Sequence, residues 1–363
     1  MIKLVDRYLI KELIGPFFFG IAAFTSILAG STVLFALIGD VIRYQIPILQ
    51  FIQLFFYKLP YVVVLSFPMS TLLATILTFG RLSSDGELLA FRASGVGFQR
   101  LVTPILAAGL VISLVTIAFN ELIVPRATAS GEMLLRSFAE STQPTIKENI
   151  NFTEYSDGVP SRIINVQSLD KGTLKNVTVA EFDSGHLSRI IRAQSGTWLR
   201  DGGWQFNDGI MHSFPKDEIR RLTVVQFEEE TIDIALNPID LSSRKKKIEE
   251  MNSLELKKAI ELQKKLGQDP IIDQMNFHLK FAVPFACLIF SVLGASVGLR
   301  PHRSTSTIGL GISIVVILVY YILLSFGMGL GLSHTLPPVL AAWTPNIVVG
   351  GFGIYLLNRL SGQ

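Results

Sequence analysis

The segment best suited to chemistry or docking reads Arg-Leu-Ser-Ser-Asp-Gly-Glu-Leu-Leu-Ala-Phe-Arg-Ala-Ser-Gly, residues 81–95. Ser83 or Ser84 is placed to cap a short helix, Glu87 falls in its first turn, where a carboxylate suits the helix dipole, and Gly95 can end it. Leu88, Leu89 and Phe91 are apolar residues on an otherwise polar connection. Two readings fit equally: a loop helix packed on its own domain or lying at lipid headgroups, and a docking helix that inserts into a groove on a partner. Catalytic patterns are missing. The chain has no G-x-x-x-x-G-K-[ST] phosphate loop, no H-E-x-x-H and no G-x-S-x-G, so it is expected not to be an enzyme and to hold no cofactor or metal of its own. Its five histidines (186, 212, 278, 302, 334) lack ligand spacing, and the one cysteine, Cys287, lies in an apolar run, which excludes a disulfide framework or a CxxC site.

The elements around this segment are membrane spans. Of 363 residues 49% are hydrophobic and only 17% charged, well below the quarter usual for soluble domains. The net charge of +3 gives no sign of a nucleic-acid partner. About 20 apolar residues cross a bilayer, and six runs qualify: Leu13–Ile38, Tyr61–Phe79, Leu101–Val124, Leu279–Leu299, Ile308–Leu330 and Val339–Leu357. Ile46–Leu59 fits either an interfacial helix or an extension of the second span, and Pro60 and Pro68 predict a kink or break. Lys3, Arg7 and Lys11 precede a run too long for a signal-peptide core, so the first span is expected to remain as an anchor.

Basic residues in short loops set orientation. Lys3, Arg7, Lys11, Arg81, Arg92, Arg100, Arg300, Arg303 and Arg359 fall on one side, and Arg43, with or without Lys58, on the other. Both termini are therefore predicted to be cytoplasmic and the large polar block, Arg126 to Asn276, to lie outside. Long translocated domains escape the rule, so Arg244–Lys247 does not conflict with this.

Turn signals recur in that block at Asp157-Gly158, Lys171-Gly172, Ser184-Gly185, Asp201-Gly202 and Asp208-Gly209. Between them lie β-type runs at Arg162–Val166, Val177–Phe182, Ser188–Ala193 and Leu222–Phe227. Trp198-Leu-Arg and Trp204-Gln-Phe flank a Gly-rich turn and predict one hairpin. A sandwich, jelly roll or open barrel is expected. Ser253–Leu266 then predicts a helix with Ser253 as N-cap and Gly267 beyond its end. The expected architecture is thus an α-helical membrane protein with six spans (3 + 3) and an inserted all-β, jelly-roll-like domain. Its parts are residues 1–125 (spans 1–3, with the loop 81–100), 126–252 (the β domain), 253–276 (a connecting helix) and 277–363 (spans 4–6).

Several stretches together carry a family resemblance. Phe67-Pro-Met-Ser-Thr through Ala93-Ser-Gly resembles the second span and coupling loop of the LptF/LptG (YjgP/YjgQ) lipopolysaccharide-export permeases. Leu4-Val-Asp-Arg-Tyr resembles their start, and His278-Leu-Lys-Phe-Ala-Val-Pro with Gly294 and Gly298-Leu-Arg-Pro-His-Arg their fourth span and following loop. Leu336-Pro-Pro with Trp343-Thr-Pro-Asn resembles their sixth. The resemblance implies the permease subunit of an ABC transporter in the bacterial inner membrane. It would be driven by two copies of a separate cytoplasmic ATPase that carries the ATP and Mg, and would be paired with a second permease, a paralogue or the same chain. It would extract lipopolysaccharide and pass it to a periplasmic bridge of jelly-roll proteins. On that resemblance Asp85, Glu87, Leu88, Phe91 and Arg92 form the ATPase-coupling element, with Gly86 standing where the family has serine. Small residues at Gly20, Gly30, Gly309 and Gly311 would let the first and fifth spans approach as a gate. Arg43 and Lys58 are the basic candidates for meeting lipid phosphates, because Ser31–Ile38 has none of the lysines some members carry there; snorkelling anchors are the plainer reading. A permease for another lipid or a lipoprotein, or a membrane sensor or scaffold, is the alternative.

Overall fold

The computed structural model of the chain describes residues 4–142, 148–156, 159–170, 173–183, 186–199, 203–214, 223–232, 246–265, 267–298 and 306–361. These divide into two compact units. The first holds residues 1–139, 248–257 and 271–363; the second holds 140–247 and 258–270.

Among the described residues of the first unit, six helices are long and apolar enough to cross a membrane, three before the inserted unit and three after it. The first is a 41-residue rod, Leu4–Tyr44. It comprises α1 (Leu4–Leu28), a π-helical turn (Ala29–Leu34) and α2 (Phe35–Tyr44). Within the π turn the Thr32 hydroxyl donates back to Leu28 O at 2.6 Å. α3 runs from Ile48 to Ser84, so Ile46–Leu59 extends the second span. Pro60 and Pro68 lie inside this helix without ending it. Serine and threonine hydroxyls in the same stretch are satisfied on the helix itself, Ser70 on Ser66 O and Thr71 on Phe67 O. α4 (Glu87–Ala93) follows, then α5 (Phe98–Leu122) and α6 (Val124–Thr142). The polar block therefore opens with a helix. Polar residues at 126–132 read as the start of a β domain, but Leu134, Leu135 and Phe138 recur at helical spacing and pack with Val33, Leu37 and Leu54.

The Trp343-Thr-Pro-Asn motif has a packing role. Asn346, buried in α10 (Pro338–Ser361), accepts from the Tyr320 hydroxyl of α9 (Ser306–Leu332) at 3.0 Å. It donates to Ala282 O of α8 (Ile271–Gly298) at 2.7 Å. One amide thus joins the last three spans where no water could replace its bonds. Backbones meet α3 closely at glycines. A Cβ on Gly294 would stand 2.8 Å from Thr75 Cβ and 3.2 Å from Leu72 O, and one on Gly298 would stand 2.8 Å from Phe79. The gate glycines divide. Gly20 faces Ser70 and Gly309 faces Ile76 and Leu77, all on α3, while Gly30 and Gly311 have open space beside them.

The second unit is a six-stranded antiparallel sheet in the order β1-β2-β3-β4-β5-β6. The strands are Glu148–Ser156, Val159–Asp170, Thr173–Asp183, His186–Trp198, Trp204–Ser213 and Thr223–Ile232. Trp198 pairs with Trp204, as the predicted hairpin requires. One face carries Ile164, Val166, Val177, Val179, Ile191, Trp204 and Phe206, all at 2% exposure or less. A flat single sheet would leave that face open, so this one curls over it or is covered, which is compatible with a jelly-roll-like domain. Asp208-Gly209 is no turn. It lies within β5, with Asp208 at φ 53° and Gly209 between Ala193 and Phe227. The Phe227 ring occupies the space a side chain at 209 would need. The other four turn signals, Leu222, Arg244 and Leu299–Thr305 lie outside the described residues.

The helix α7 (Ser253–Lys265) leads back toward the fourth span. Its N-cap is Asn252, one residue before the expected Ser253. Asn252 Oδ1 accepts from Glu255 N at 2.8 Å and Glu255 Oε2 accepts from Asn252 N at 3.1 Å, a reciprocal capping box. Ser253 instead donates its N–H to Glu121 Oε2 at 2.8 Å. Gly267, at φ 67°, ends the helix, with Gln268 N returning to Gln263 O.

At one end of the sheet's apolar face Glu181 is buried between two arginines that are its direct register partners, Arg162 and Arg189. Both donate from Nε, Arg162 at 2.8 Å. Burial pushes the Glu181 carboxyl up, but the hydrogen bond from Arg189 and the charge of Arg162 outweigh it and hold it below the usual carboxylate range.

Two outcomes follow. Gly294→Val forces a side chain into Thr75 and the α3 backbone and should cost about 1–3 kcal/mol, read as a lower Tm of the detergent-solubilised chain. The Glu181 contribution is fully present above the unfolded-state pKa of about 4.3 and is lost as pH falls through the depressed folded-state value. Hydrogen-exchange protection of β2–β4 in the full chain should therefore drop on acidification, and Glu181→Gln should weaken protection at neutral pH and flatten that dependence.

Candidate functional site

The residues expected to couple to a partner lie on and around α4, which two left-handed glycines bracket. Gly86 (φ 74°) separates α3 from α4, and Gly95 (φ 84°) closes α4, with Val96 N returning to Phe91 O. Ser83 and Ser84 do not cap α4; they belong to the last turn of α3, and Gly86 takes the cap position. Only glycine holds such φ values without strain, so the chain reverses twice within a dozen residues.

Asp85 caps the end of α3 through its backbone N–H and is exposed. Glu87 begins α4, half-buried, and its Oε2 accepts a 2.6 Å hydrogen bond from the Tyr8 hydroxyl of α1. Leu88 is 6% exposed and packs in a cluster with Leu9, Leu13, Phe79, Leu82 and Leu101, with Phe91 partly buried against it. Leu89, by contrast, is 74% exposed, and Arg92 is exposed in the last turn. The apolar side chain that α4 offers outward is thus Leu89. Leu88, expected in the coupling element, packs inward and holds α4 to its own domain, because a seven-residue helix must bury one stripe to stay formed. One face of the helix is packed on its own domain and the other is exposed.

Around α4 the foot of α1 is clamped by charge. Arg81 Nη2 lies 2.7 Å from Glu12 Oε2 and 3.4 Å from the Tyr8 hydroxyl. The Arg100 guanidinium faces both Asp6 oxygens, at 2.7 and 2.9 Å. Solvent screens such exposed pairs, so they add little to the hold of the fold and serve to orient helices that packing already joins. Asp6, Tyr8, Glu12, Arg81 and Arg100 meet around α4 in a cluster that spacing alone does not reveal. They are up to 94 positions apart. Their only trace in the sequence is the family-like Leu4-Val-Asp-Arg-Tyr start and the two loop arginines that had served to set orientation.

The lipid-phosphate candidates part company. Arg43, in the last turn of α2, is exposed. Lys58 on α3 is 3.4 Å from Glu132 Oε1 on α6, and that carboxylate is buried. Lys58 is therefore an ion-pair partner and not a free cation. Among the described residues no group of three or more His, Cys, Asp or Glu is placed to hold a metal.

Three membrane helices, an inserted antiparallel sheet unit and three more helices, with a short half-exposed helix between the second and third spans, define a polytopic membrane protein. The family model for the lipopolysaccharide export system permease LptF/LptG matches residues 7–359, and the chain belongs to that family. A comparison with individually curated proteins returns no match.

The two leucines give a direct check. Leu88→Ala should cost about 2–3 kcal/mol through the lost transfer energy and the cavity, seen as a lower Tm, whereas Leu89→Ala should stay within about 0.5 kcal/mol of the parent.

Proposed function

We propose that this chain is one of two permease subunits of an ABC transporter that extracts lipopolysaccharide from the inner membrane and delivers it to a periplasmic jelly-roll bridge. The family match, which runs through both membrane halves and the sheet unit, carries this reading. ATP and Mg belong to a separate cytoplasmic ATPase dimer. The loop-charge bias puts both termini and α4 on the cytoplasmic side and the sheet in the periplasm.

In this reading the exposed face of α4, with Leu89 as the apolar anchor and Asp85, Glu87 and Arg92 as polar contacts, seats in a groove of the ATPase. Leu88 and Phe91 fix the helix from behind. The first and fifth spans present their apolar side chains outward, Phe18, Ile27 and Phe35 on one and Val315, Leu318 and Phe326 on the other. Those faces, set against the second permease, wall the lipid's path. Arg43 is the basic group at the periplasmic end of the first span and meets a lipid phosphate there. The outer strands β1 and β6 are edges among the described residues, and β6 exposes Val224 and Val225. An edge of this kind takes a strand from the bridge protein by main-chain pairing.

Purification of the chain from its host in mild detergent should bring down an ABC ATPase, a second permease and lipopolysaccharide, identified by mass spectrometry. An ATPase with another lipid or a lipoprotein would change the substrate. A folded preparation with no ATPase would return the sensor or scaffold reading. Leu89→Asp and Glu87→Ala should each reduce ATPase recovery and ATP-dependent lipid extraction, by about tenfold for a loss of 1.4 kcal/mol at the contact, and unchanged extraction in both would remove α4 from the mechanism.

A further inference from the structure

We infer that Tyr8 is a positioning residue through which the first span follows α4. Its hydroxyl on Glu87 is the link between the helix that meets the ATPase and the helix that borders the lipid's path. This rests on the proposed docking of α4.

The geometry is specific. Among the described residues, Tyr8–Glu87 is the one side-chain hydrogen bond from α4 (Glu87–Ala93) to another helix. At 2.6 Å, with a carboxylate acceptor, it is short and charge-assisted. Only Oε2 of Glu87 is occupied; among the described residues Oε1 has no hydrogen-bond partner, which leaves it open to a donor from a docked protein. One carboxylate can then bridge the docking partner and the first span. Tyr8 and Glu12 are one turn apart on α1 and therefore share a face, and Arg81 of α3 touches both. Asp6, on the preceding turn, is held by Arg100 of α5. Polar contacts thus grip the foot of α1 from three sides, and of these the hydrogen bond of Tyr8 leads to α4, beside the apolar cluster that Leu88 shares with Leu9 and Leu13.

The rest of the first span is held lightly. It is among the least buried of the six, its outer residues Phe18, Phe19, Ile27, Phe35 and Ile42 are exposed, and a π turn interrupts it at Ala29–Leu34. π turns inside helices are frequent at functional sites. A peripheral helix fixed at its foot and interrupted at midspan can move without dismantling the core around α3. Left-handed Gly86 and Gly95 bracket α4 in turn. A shift of α4 on nucleotide binding is handed to α1 through the Tyr8 hydroxyl, while packing of Leu88 keeps α4 on its domain.

The test uses the complete transporter in proteoliposomes, reading ATP hydrolysis and lipopolysaccharide released to a soluble acceptor. Tyr8→Phe keeps the ring and removes the hydroxyl. The expected result is a fall of about fivefold in lipid released per ATP hydrolysed, the lower end of the usual range for coupling between sites, with the ATPase still co-purifying. Tyr8→Phe should add nothing to Glu87→Gln, because both act on one contact. An unchanged ratio, additive effects, or loss of the ATPase from the Tyr8→Phe complex would overturn the inference, the last because the hydroxyl would then serve docking alone. Hydrogen exchange on the unmodified complex gives a second reading that needs no variant. Residues 4–12 should change protection together with α4 when a non-hydrolysable ATP analogue is added, and a response confined to α4 would overturn the link. If the parent complex moves no lipopolysaccharide, the proposed substrate fails, and the exchange experiment still decides the link.

Discussion

The close approach of helix backbones to α3 is the constraint on which the membrane unit depends. In hydrocarbon, helices gain nothing by hiding apolar side chains from their neighbours, since lipid is equally apolar. Association rests on dispersion contacts and a few interhelical hydrogen bonds. Gly20, Gly294, Gly298 and Gly309 bring parts of three other spans against α3, where a Cβ would meet Ser70, Thr75, Phe79 or Ile76. The small polar side chains of α3 fit that surface because their hydroxyls bond back to the helix itself, as Thr75 does to Thr71 O at 2.7 Å. α3 is the most buried of the six helices, and the first and fifth spans are the least. Rigidity at the centre and freedom at the margin are two results of the same packing rule.

That contrast is plain at the foot of α1, where ion pairs gather. Where glycine packing is dense, polar contacts are few and serve as locks, as Asn346 does between Tyr320 and Ala282. At the foot of α1 packing gives way to ion pairs and one tyrosine hydrogen bond, contacts strong enough to orient and weak enough to be remade. The sheet unit follows a different logic. Burial of a continuous apolar face stabilises it, and its internal charge, Glu181, is tolerated because two arginines meet it in register. Membrane spans built on close contact, a sheet built on apolar burial and a loop built on remakeable polar contacts are joined in one lipid-exporting chain.

The predicted elements differ in how they fared, for local reasons. Span number, the 3 + 3 order, the Trp198–Trp204 hairpin and the Gly267 stop were legible because each depends on residues close together in the chain. The Asp208-Gly209 pair failed as a turn because its glycine answers to Phe227, 18 residues on, whose ring lies over it. Helix α6 was missed because residues 126–132 are polar or small and its large apolar residues resume only at Met133. The cap of α7 moved by one residue because Asn252 and Glu255 satisfy each other, while Ser253 turns its N–H to Glu121.

The amino-acid sequence by itself determined the membrane class, the inserted β domain and the existence of a short amphipathic segment at residues 81–95. Hydrophobic length, loop charge and turn residues are local quantities, and a linear pattern carries them fully. Only the tertiary structure decided which leucine of that segment faces inward, that Lys58 is spoken for by Glu132, and that Tyr8 reaches Glu87 across 79 positions. A side chain's partner depends on the angle at which two helices cross and on the rotation of each about its axis. Those are fixed by the summed packing of every span around α3, a property that no window of the sequence contains.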